Sequence, residues 1–500
     1  MRNRIKVYCR GNAMKRNVLW FLLCIVLFVL SACDAQSEQT TVEAPKTEVA
    51  DGTEPVEMPD SADITESPAS ENTETKVGFE TAGIDELETA LGDENALIVD
   101  TRVSDAYMGW AVEGAERGGH IPGATDFSYR WLDSPYSDTE NLEGETREQV
   151  LEQAIDAKGL SGKKLFLYDV NGEDAKKVAQ YLYGKGLEDI VLVDASEYIN
   201  GDYELESYPQ YELLLSPTVV KEYIDSGSAD TLEEGKEYKI FNVAWGEVDQ
   251  SGYLDGHVPG AVHVNTDWFE PEEIGWMLGD DNLLRDLVLR LGITADTGVI
   301  VTGPEPMASN RFATILDYLG VQDIRVMNGA LLGWEGYGYE LATEETKPEA
   351  VEDFGADLPA NPDRIDTQDE TAEYLESREN YVLVDNRTQE EFDGQSTGYS
   401  YHDKAGRIEG AVFGFAGKQS SSSMSYYRNI DKTMRNGYEI VAMLEGQGIN
   451  LTDHMSFMCG SGWRAAEVLW DMRVMGYENV SLYSDGWIGW SNEGRPSIEQ

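Results

Sequence analysis

Three stretches of this chain are near-copies of one another: GHIPGA at 119–124, GHVPGA at 256–261 and a degraded GRIEGA at 406–411. The same order of elements surrounds each. Upstream lies a short β-rich run: ALIVDTR (96–102), YKIFNVA (238–244) and YVLVDNR (381–387). Downstream come an apolar strand, a loop and a helical pattern: LFLYDVNGEDAKKVAQYL (165–182), VIVTGPEPMASNRFATILDYLG (299–320) and SFMCGSGWRAAEVLWDMRVMG (456–476). A last strand closes each copy, at 189–195, 323–334 and 479–490. The turn motifs start at 119, 256 and 406, offsets of 137 and 150 residues, so each repeat is a domain and not one coil of a solenoid. Strands alternating with helices predict the α/β class: three tandem units, each a mainly parallel sheet with helices on both faces. In such sheets ligands sit at the C-terminal strand ends, where loops lead into helix N-termini.

The repeats place the units at 78–208, 209–344 and 366–500, with the polar, Pro-containing stretch 345–365 as a linker. The chain is 41% hydrophobic and 10% aromatic, enough apolar material to fill three cores. Residues 34–77 are rich in Glu, Asp, Thr, Ser and Pro, lack aliphatic periodicity, and are expected to form a disordered acidic tether. Residues 1–33 have the order of an export signal: the basic lead Arg2, Arg4, Lys6, Arg10, Lys15 and Arg16, then the apolar run VLWFLLCIVLFVL (18–30), then SAC. That run is shorter than the ~20 residues a spanning helix needs. LSAC (30–33) resembles a bacterial lipobox, which makes Cys33 the expected lipidated N-terminus. The expected location is the extracytoplasmic or periplasmic face of a bacterial membrane, held there by that lipid. Cleavage would remove Cys9 and Cys24 and lipid would occupy Cys33, leaving Cys459 as the free thiol, with no internal disulfide possible. A net charge of −55 argues against nucleic acid as a partner.

Cys459 stands in Cys-Gly-Ser-Gly-Trp-Arg, between an apolar strand and a helical pattern. Gly460 and Gly462 let the backbone curl so that N–H groups turn inward, and the helix start adds unpaired donors. An anionic sulfur is stabilised in such a cradle, which marks Cys459 as a nucleophile. Ser461 and Trp463 complete the loop. Arg464, at the start of the helix, could add positive charge or anchor the loop. A cysteine buried merely as a small hydrophobe would sit among aliphatic neighbours, whereas these flanks are glycine and serine.

Together, the VDxR strand, the GHIPGA turn and the C-x-x-G-x-R loop before a helix resemble rhodanese domains, the fold of sulfurtransferases. The resemblance runs from about residue 78 to 500, and the arrangement is similar to exported triple-rhodanese sulfurtransferases whose last domain is catalytic. It implies that Cys459 takes the outer sulfur of a small-molecule donor such as thiosulfate as a persulfide, then passes it to a thiol or cyanide acceptor, with no cofactor. Related cysteine phosphatases use Cys-x5-Arg; the Cys-x4-Arg spacing here is one residue tighter and suits a single sulfur atom. At the position of Cys459 the first copy has Asp169 and the second Thr302 or Gly303, so neither can form a persulfide and both are expected to serve as scaffold. The resemblance places Asp385 near the nucleophile and reads Arg387 as its ion-pair partner. Relatives often bind substrate through an arginine where this chain has Glu391, and Arg407, Arg428 and Arg435 are candidates to replace that charge. Gly460-Ser461 resembles the mercaptopyruvate enzymes, while Trp463-Arg464 departs from them, so the donor stays open between thiosulfate and mercaptopyruvate. His120 and His257 lie in the turn motif, where bonding to local backbone is expected; His263, His402 and His454 show no metal-ligand spacing. The rival reading is a lipoprotein that carries persulfide sulfur, or binds a partner, without turnover.

Overall fold

A computed structural model describes residues 78–134 and 143–498; the signal segment, Cys33 and the tether lie outside them. Three five-stranded sheets follow the chain in order. The first runs β1 (Glu80–Ala82), β5 (Ile190–Asp194), β4 (Lys164–Asp169), β2 (Ala96–Asp100), β3 (Thr125–Asp126). The second has the same order: β6 (Leu214–Leu215), β10 (Asp323–Met327), β9 (Gly298–Thr302), β7 (Tyr238–Ala244), β8 (Val262–Asn265). The third repeats it with β11 (Ile365–Asp366), β16 (Val480–Tyr483), β15 (His454–Met458), β12 (Tyr381–Asp385) and β14 (Val412–Phe413). Every pairing within these sheets is parallel, as the alternation of strand and helix demands. Central strands are buried on both faces, which is why GVIVT of β9 reads as a continuous apolar run. A separate antiparallel pair joins β13 (Arg407–Ile408) to β17 (Ser497–Ile498).

The VDxR and GHIPGA motifs recur because they touch. Arg102 forks onto Asp100 and also donates from Nη2 to the carbonyl of Gly119 at 2.6 Å. Arg387 repeats this in the third unit, forked onto Asp385 and donating to Gly406 O at 2.9 Å. His120 and His257 bond to local backbone as expected, through Nδ1 to Tyr107 O at 2.7 Å and Tyr253 O at 2.8 Å, each stacked on that tyrosine.

The described residues form one compact unit, and a single hydrophobic core runs through all three copies, from Val103 through Leu215 and Phe312 to Trp470. Its centre is a helix pair, Pro306–Leu319 of the second copy against Trp463–Val474 of the third. Trp470 Nε1 donates to Thr314 Oγ1 at 3.0 Å, and Arg473 reaches Asp317 at 3.0 Å. In the first of these helices every residue except Tyr318 is buried, which an amphipathic surface helix could not tolerate. The 345–365 stretch is laid along the second copy: Phe354 is buried, its carbonyl accepts from Ala295 N at 2.8 Å, and Val351 N donates to Leu289 O at 2.9 Å. No helix among the described residues is long and apolar enough to cross a membrane.

Candidate active site

Cys459 follows directly on β15, the central strand of the third sheet. Met458 pairs with Asp385 of β12, and Asn386 N donates to Met458 O at 2.7 Å, which fixes the strand end before the chain turns. The turn is held from its carbonyl side. Trp487 N donates to Cys459 O at 2.8 Å and Ile488 N to Gly460 O at 3.1 Å. Gly486, at φ +54, lets that segment approach: a Cβ there would lie 2.4 Å from Cys459 O. With its carbonyls bound outward, the loop offers N–H groups inward. Gly462, at φ +95 as the N-cap of helix Trp463–Val474, donates its N–H to Cys459 Sγ at 3.2 Å. Cys459 is only 1% exposed, and Tyr399 packs against the next residue, since a Cβ on Gly460 would meet the Tyr399 ring and hydroxyl at 2.2 Å. Ser461 and Trp463 are the half-buried members of the loop.

The sister loops act as internal controls. In the first copy Asp169 holds the cysteine's register, and its carboxylate accepts from Gly172 N and Ala175 N, both at 2.9 Å. The Gly172 contact has the same i to i+3 spacing as Gly462 to Cys459, so in both loops the N–H three residues on is turned toward the side chain at the strand end. In the second copy Asn242 pairs with Thr302 as Asp385 pairs with Met458, so the residue after the strand, Gly303, is the counterpart of Cys459. A side chain there would strike Val243 O at 2.3 Å. Strand register thus decides between the two candidates that the sequence leaves open.

Every arginine near the loop is already matched to a carboxylate or a carbonyl. Arg464 is buried and forked onto Glu391, Nη1 to Oε2 at 2.8 Å and Nη2 to Oε1 at 2.9 Å, with Tyr399 Oη 2.9 Å from Nη2. Burial alone would raise the Glu391 carboxyl, but Arg464, helped by Arg387 and the Thr388 N–H, pulls it down to about 2. Arg464 therefore anchors the loop, and its charge is neutralised there. Asp385 is likewise occupied, by Arg387. Of the three arginines expected to supply extra charge, two are paired with carboxylates and Arg407 meets only a backbone carbonyl. Arg428 is forked onto Glu467 and also pairs with Glu305; Arg435 pairs with Glu439; Arg407 donates to Phe392 O at 3.3 Å. Buried cations need partners, and 93 acidic residues against 38 basic ones supply them.

The second copy reaches into this site. Glu270, fully buried, accepts from Arg311 Nε at 2.7 Å and from Trp463 Nε1 of the catalytic loop. Arg311 also donates to Ser484 Oγ at 2.6 Å, just before the segment that binds the loop carbonyls. At the rim Tyr401, 51% exposed, lies 5.1 Å from Trp276 of the second copy and 5.3 Å from Tyr399, ring centre to ring centre. Sequence reasoning passed over Glu270, Arg311, Tyr399 and Tyr401. For Glu391 the absence of the expected arginine was the one visible signal. Among the described residues no cluster of His, Cys, Asp and Glu could hold a metal ion.

A parallel sheet ending in a thiol-bearing loop before a helix, three times repeated with two loops lacking the thiol, is the architecture of a sulfur-transfer protein. The model of the rhodanese-like domain matches residues 83–196, 228–337 and 367–493. The chain belongs to the rhodanese-like family and is a sulfurtransferase. It is 33% identical to the thiosulfate sulfurtransferase YnjE of Escherichia coli (strain K12) over 406 residues, 81% of this chain and 88% of that protein. It is 26% identical to the 3-mercaptopyruvate sulfurtransferase of Escherichia coli (strain K12) over 244 residues, 48% of this chain and 81% of that one. Among solved structures, the anaerobic ergothioneine biosynthesis enzyme from Chlorobium limicola, in complex with its natural substrate trimethyl histidine, superposes with a TM-score of 0.76 at 29% identity, covering 84% of this chain and 99% of that one.

Proposed function

We propose that Cys459 carries sulfur as a persulfide and turns over. The Cys459 thiolate attacks the outer sulfur of thiosulfate or a similar donor; the donor's S–S bond breaks and sulfite leaves with the bonding pair. A thiophilic acceptor then attacks the outer sulfur, and the Cys459 thiolate is regenerated. The observation that carries this reading is the Gly462 N–H directed at Sγ, in a loop whose sister copy holds the Asp169 carboxylate in the same manner. Such donors stabilise the persulfide anion as an oxyanion hole stabilises its oxygen. Incubation with thiosulfate should add the mass of one sulfur atom to the wild-type chain and none to Cys459→Ser. Steady-state thiocyanate formation with cyanide separates an enzyme from a carrier, which stops at one equivalent. Full transfer activity in Cys459→Ser would end the proposal.

A second reading concerns the acceptor. Small anionic substrates gain little from arginines that are already paired, whereas the rim pairs the exposed Tyr401 with Trp276. Aromatic faces of that kind favour an organic cation, and the Chlorobium limicola enzyme takes trimethyl histidine. Offering cyanide and trimethyl histidine side by side to the persulfide form tests it; loss of sulfur to cyanide alone rejects the cationic acceptor. We also propose export and lipidation at Cys33, supported by the basic lead, the apolar run and LSAC. Cys33→Ala should stay unprocessed or leave the membrane fraction, and unchanged anchoring would refute it.

A further inference from the structure

Two of the three units have lost the sulfur-carrying residue, yet all three meet at a cavity of about 200 Å³ remote in sequence from the catalytic loop. Room of that size takes roughly six or seven waters, or one small metabolite. The first unit contributes Asp105, Arg130 and Ser134, the second Tyr337, and the third Asp431 and Thr433.

Most of the polar groups here are spoken for. Asp105 is saturated: Oδ1 accepts from Asn328 Nδ2 at 2.7 Å, and Oδ2 from Ser216 Oγ at 3.0 Å and Tyr337 Oη at 2.8 Å. These bonds fasten the first unit to the second. Arg130 lies over the Tyr337 ring, 3.6 Å from its centre, with Nη2 on Glu113 at 2.8 Å and Nε on Tyr129 Oη at 3.3 Å.

Three groups are left over. Among the described residues Arg130 Nη1 makes no hydrogen bond, though it is not enclosed, and the Ser134 hydroxyl is buried without a partner. Asp431 binds the Thr433 N–H and hydroxyl through Oδ1 alone, which leaves Oδ2 unbonded. The lining therefore offers donors in want of an acceptor and a carboxylate oxygen in want of a donor. The Ser134 hydroxyl is the enclosed one of the three, and a buried polar group without a partner is costly unless a ligand or water completes it. Burial pushes the carboxyls of Asp105 and Asp431 up, with each also feeling the Arg130 charge. A cationic group beside them would relieve that cost.

We propose that this cavity is a binding site for a small zwitterion of the α-amino-acid class, its carboxylate on Arg130 Nη1 and the Ser134 hydroxyl, its ammonium on Asp431. The proposal stands apart from the persulfide chemistry and survives if that reading fails. Because the walls come from all three units, an occupant would tie them together and stabilise the chain as a whole.

The probe is L-serine, titrated calorimetrically into the chain carrying Cys459→Ala so that no thiol chemistry intervenes. Saturable binding of one equivalent is expected, with a rise in Tm on the order of 1–2 °C at saturation. Asp431→Asn keeps its size and its Thr433 contacts and should weaken binding roughly ten- to hundred-fold, as should Arg130→Gln. Acetate and ethylammonium each satisfy one half of the site and should bind at least about tenfold more weakly than L-serine; this comparison needs no change to the cavity and stands even if Arg130→Gln fails to fold. No saturable binding of L-serine, equal binding of all three probes, or binding indifferent to Asp431→Asn would overturn the proposal in favour of a water-filled joint.

Discussion

Replacing Glu391 by glutamine should expose how much of the active-site loop rests on one ion pair. Glu391 and Arg464 are both about 1–2% exposed and share two hydrogen bonds, so solvent screens them little. Two routes give the magnitude. In the folded chain the Glu391 carboxyl lies at about 2 against an ordinary 4.5, a difference of about 2.5 units, or about 3 kcal/mol at 1.36 kcal/mol per unit. Removing one partner of a buried pair while the other stays charged costs about 3–5 kcal/mol, in agreement with that figure. The sign follows from the direction of the shift. A carboxyl depressed in the fold contributes fully above its unfolded value, near 4.5, and loses that contribution as pH falls toward 2. Urea unfolding of the wild type and of Glu391→Gln should therefore differ by about 3 kcal/mol at pH 7, with the gap closing steadily below pH 4.5. Glu439, despite its burial also pulled to about 2 by Lys158 and Arg435, titrates in both proteins and cancels in the difference. A gap under about 1 kcal/mol at pH 7, or one that persists unchanged down to pH 3, would refute the reasoning.

Three further outcomes follow from the same geometry. Gly462→Ala puts a side chain at φ +95, 2.8 Å from Arg311 Nη1 and 2.9 Å from Ser484 O; it should lose about 1–3 kcal/mol of stability and about tenfold or more in sulfur transfer, and an active, stable variant would show that the Gly462 N–H does not serve the sulfur. Glu270→Gln leaves Arg311 without a charged partner and weakens the hold on Trp463, so the second unit should prove necessary for transfer at Cys459; thermal unfolding and kcat, measured together, should both fall, and unchanged kcat would deny the coupling. Asp169→Ala strips the acceptor from two loop N–H groups of the first unit and should cost about 1–3 kcal/mol in thermal or urea unfolding while leaving transfer by the folded protein intact; lost transfer in a folded variant would give that unit a direct part in the chemistry.

The threefold α/β plan, the place of the thiol-bearing loop and the lack of a thiol in the two sister loops could be read from the chain because each rests on short-range pattern. Strand runs, the VDxR and GHIPGA motifs and the Cys-Gly-Ser-Gly loop are all local, and local chemistry sets their conformation. The surroundings of Cys459 could not be read so. Arg464 finds Glu391 at 73 residues' separation, and Trp463 finds Glu270 at 193. Nothing in the sequence near either residue announces its partner. The same holds for Arg428, which looks like available charge on a polar segment until folding brings Glu467 and Glu305 to it, whereas Arg435 finds Glu439 only four residues on.

Gly303 shows the division most clearly. Threonine or glycine could each stand for the cysteine along the chain, and only the pairing of Asn242 with Thr302 settles it. The linear chain determined where the thiol stands, because a thiol and the glycines that curl the backbone around it are covalent neighbours. Tertiary structure decided what field that sulfur sits in, because charges and ring faces act through space, and the carboxylates that hold Arg464 and Arg311 come from distant turns of the chain.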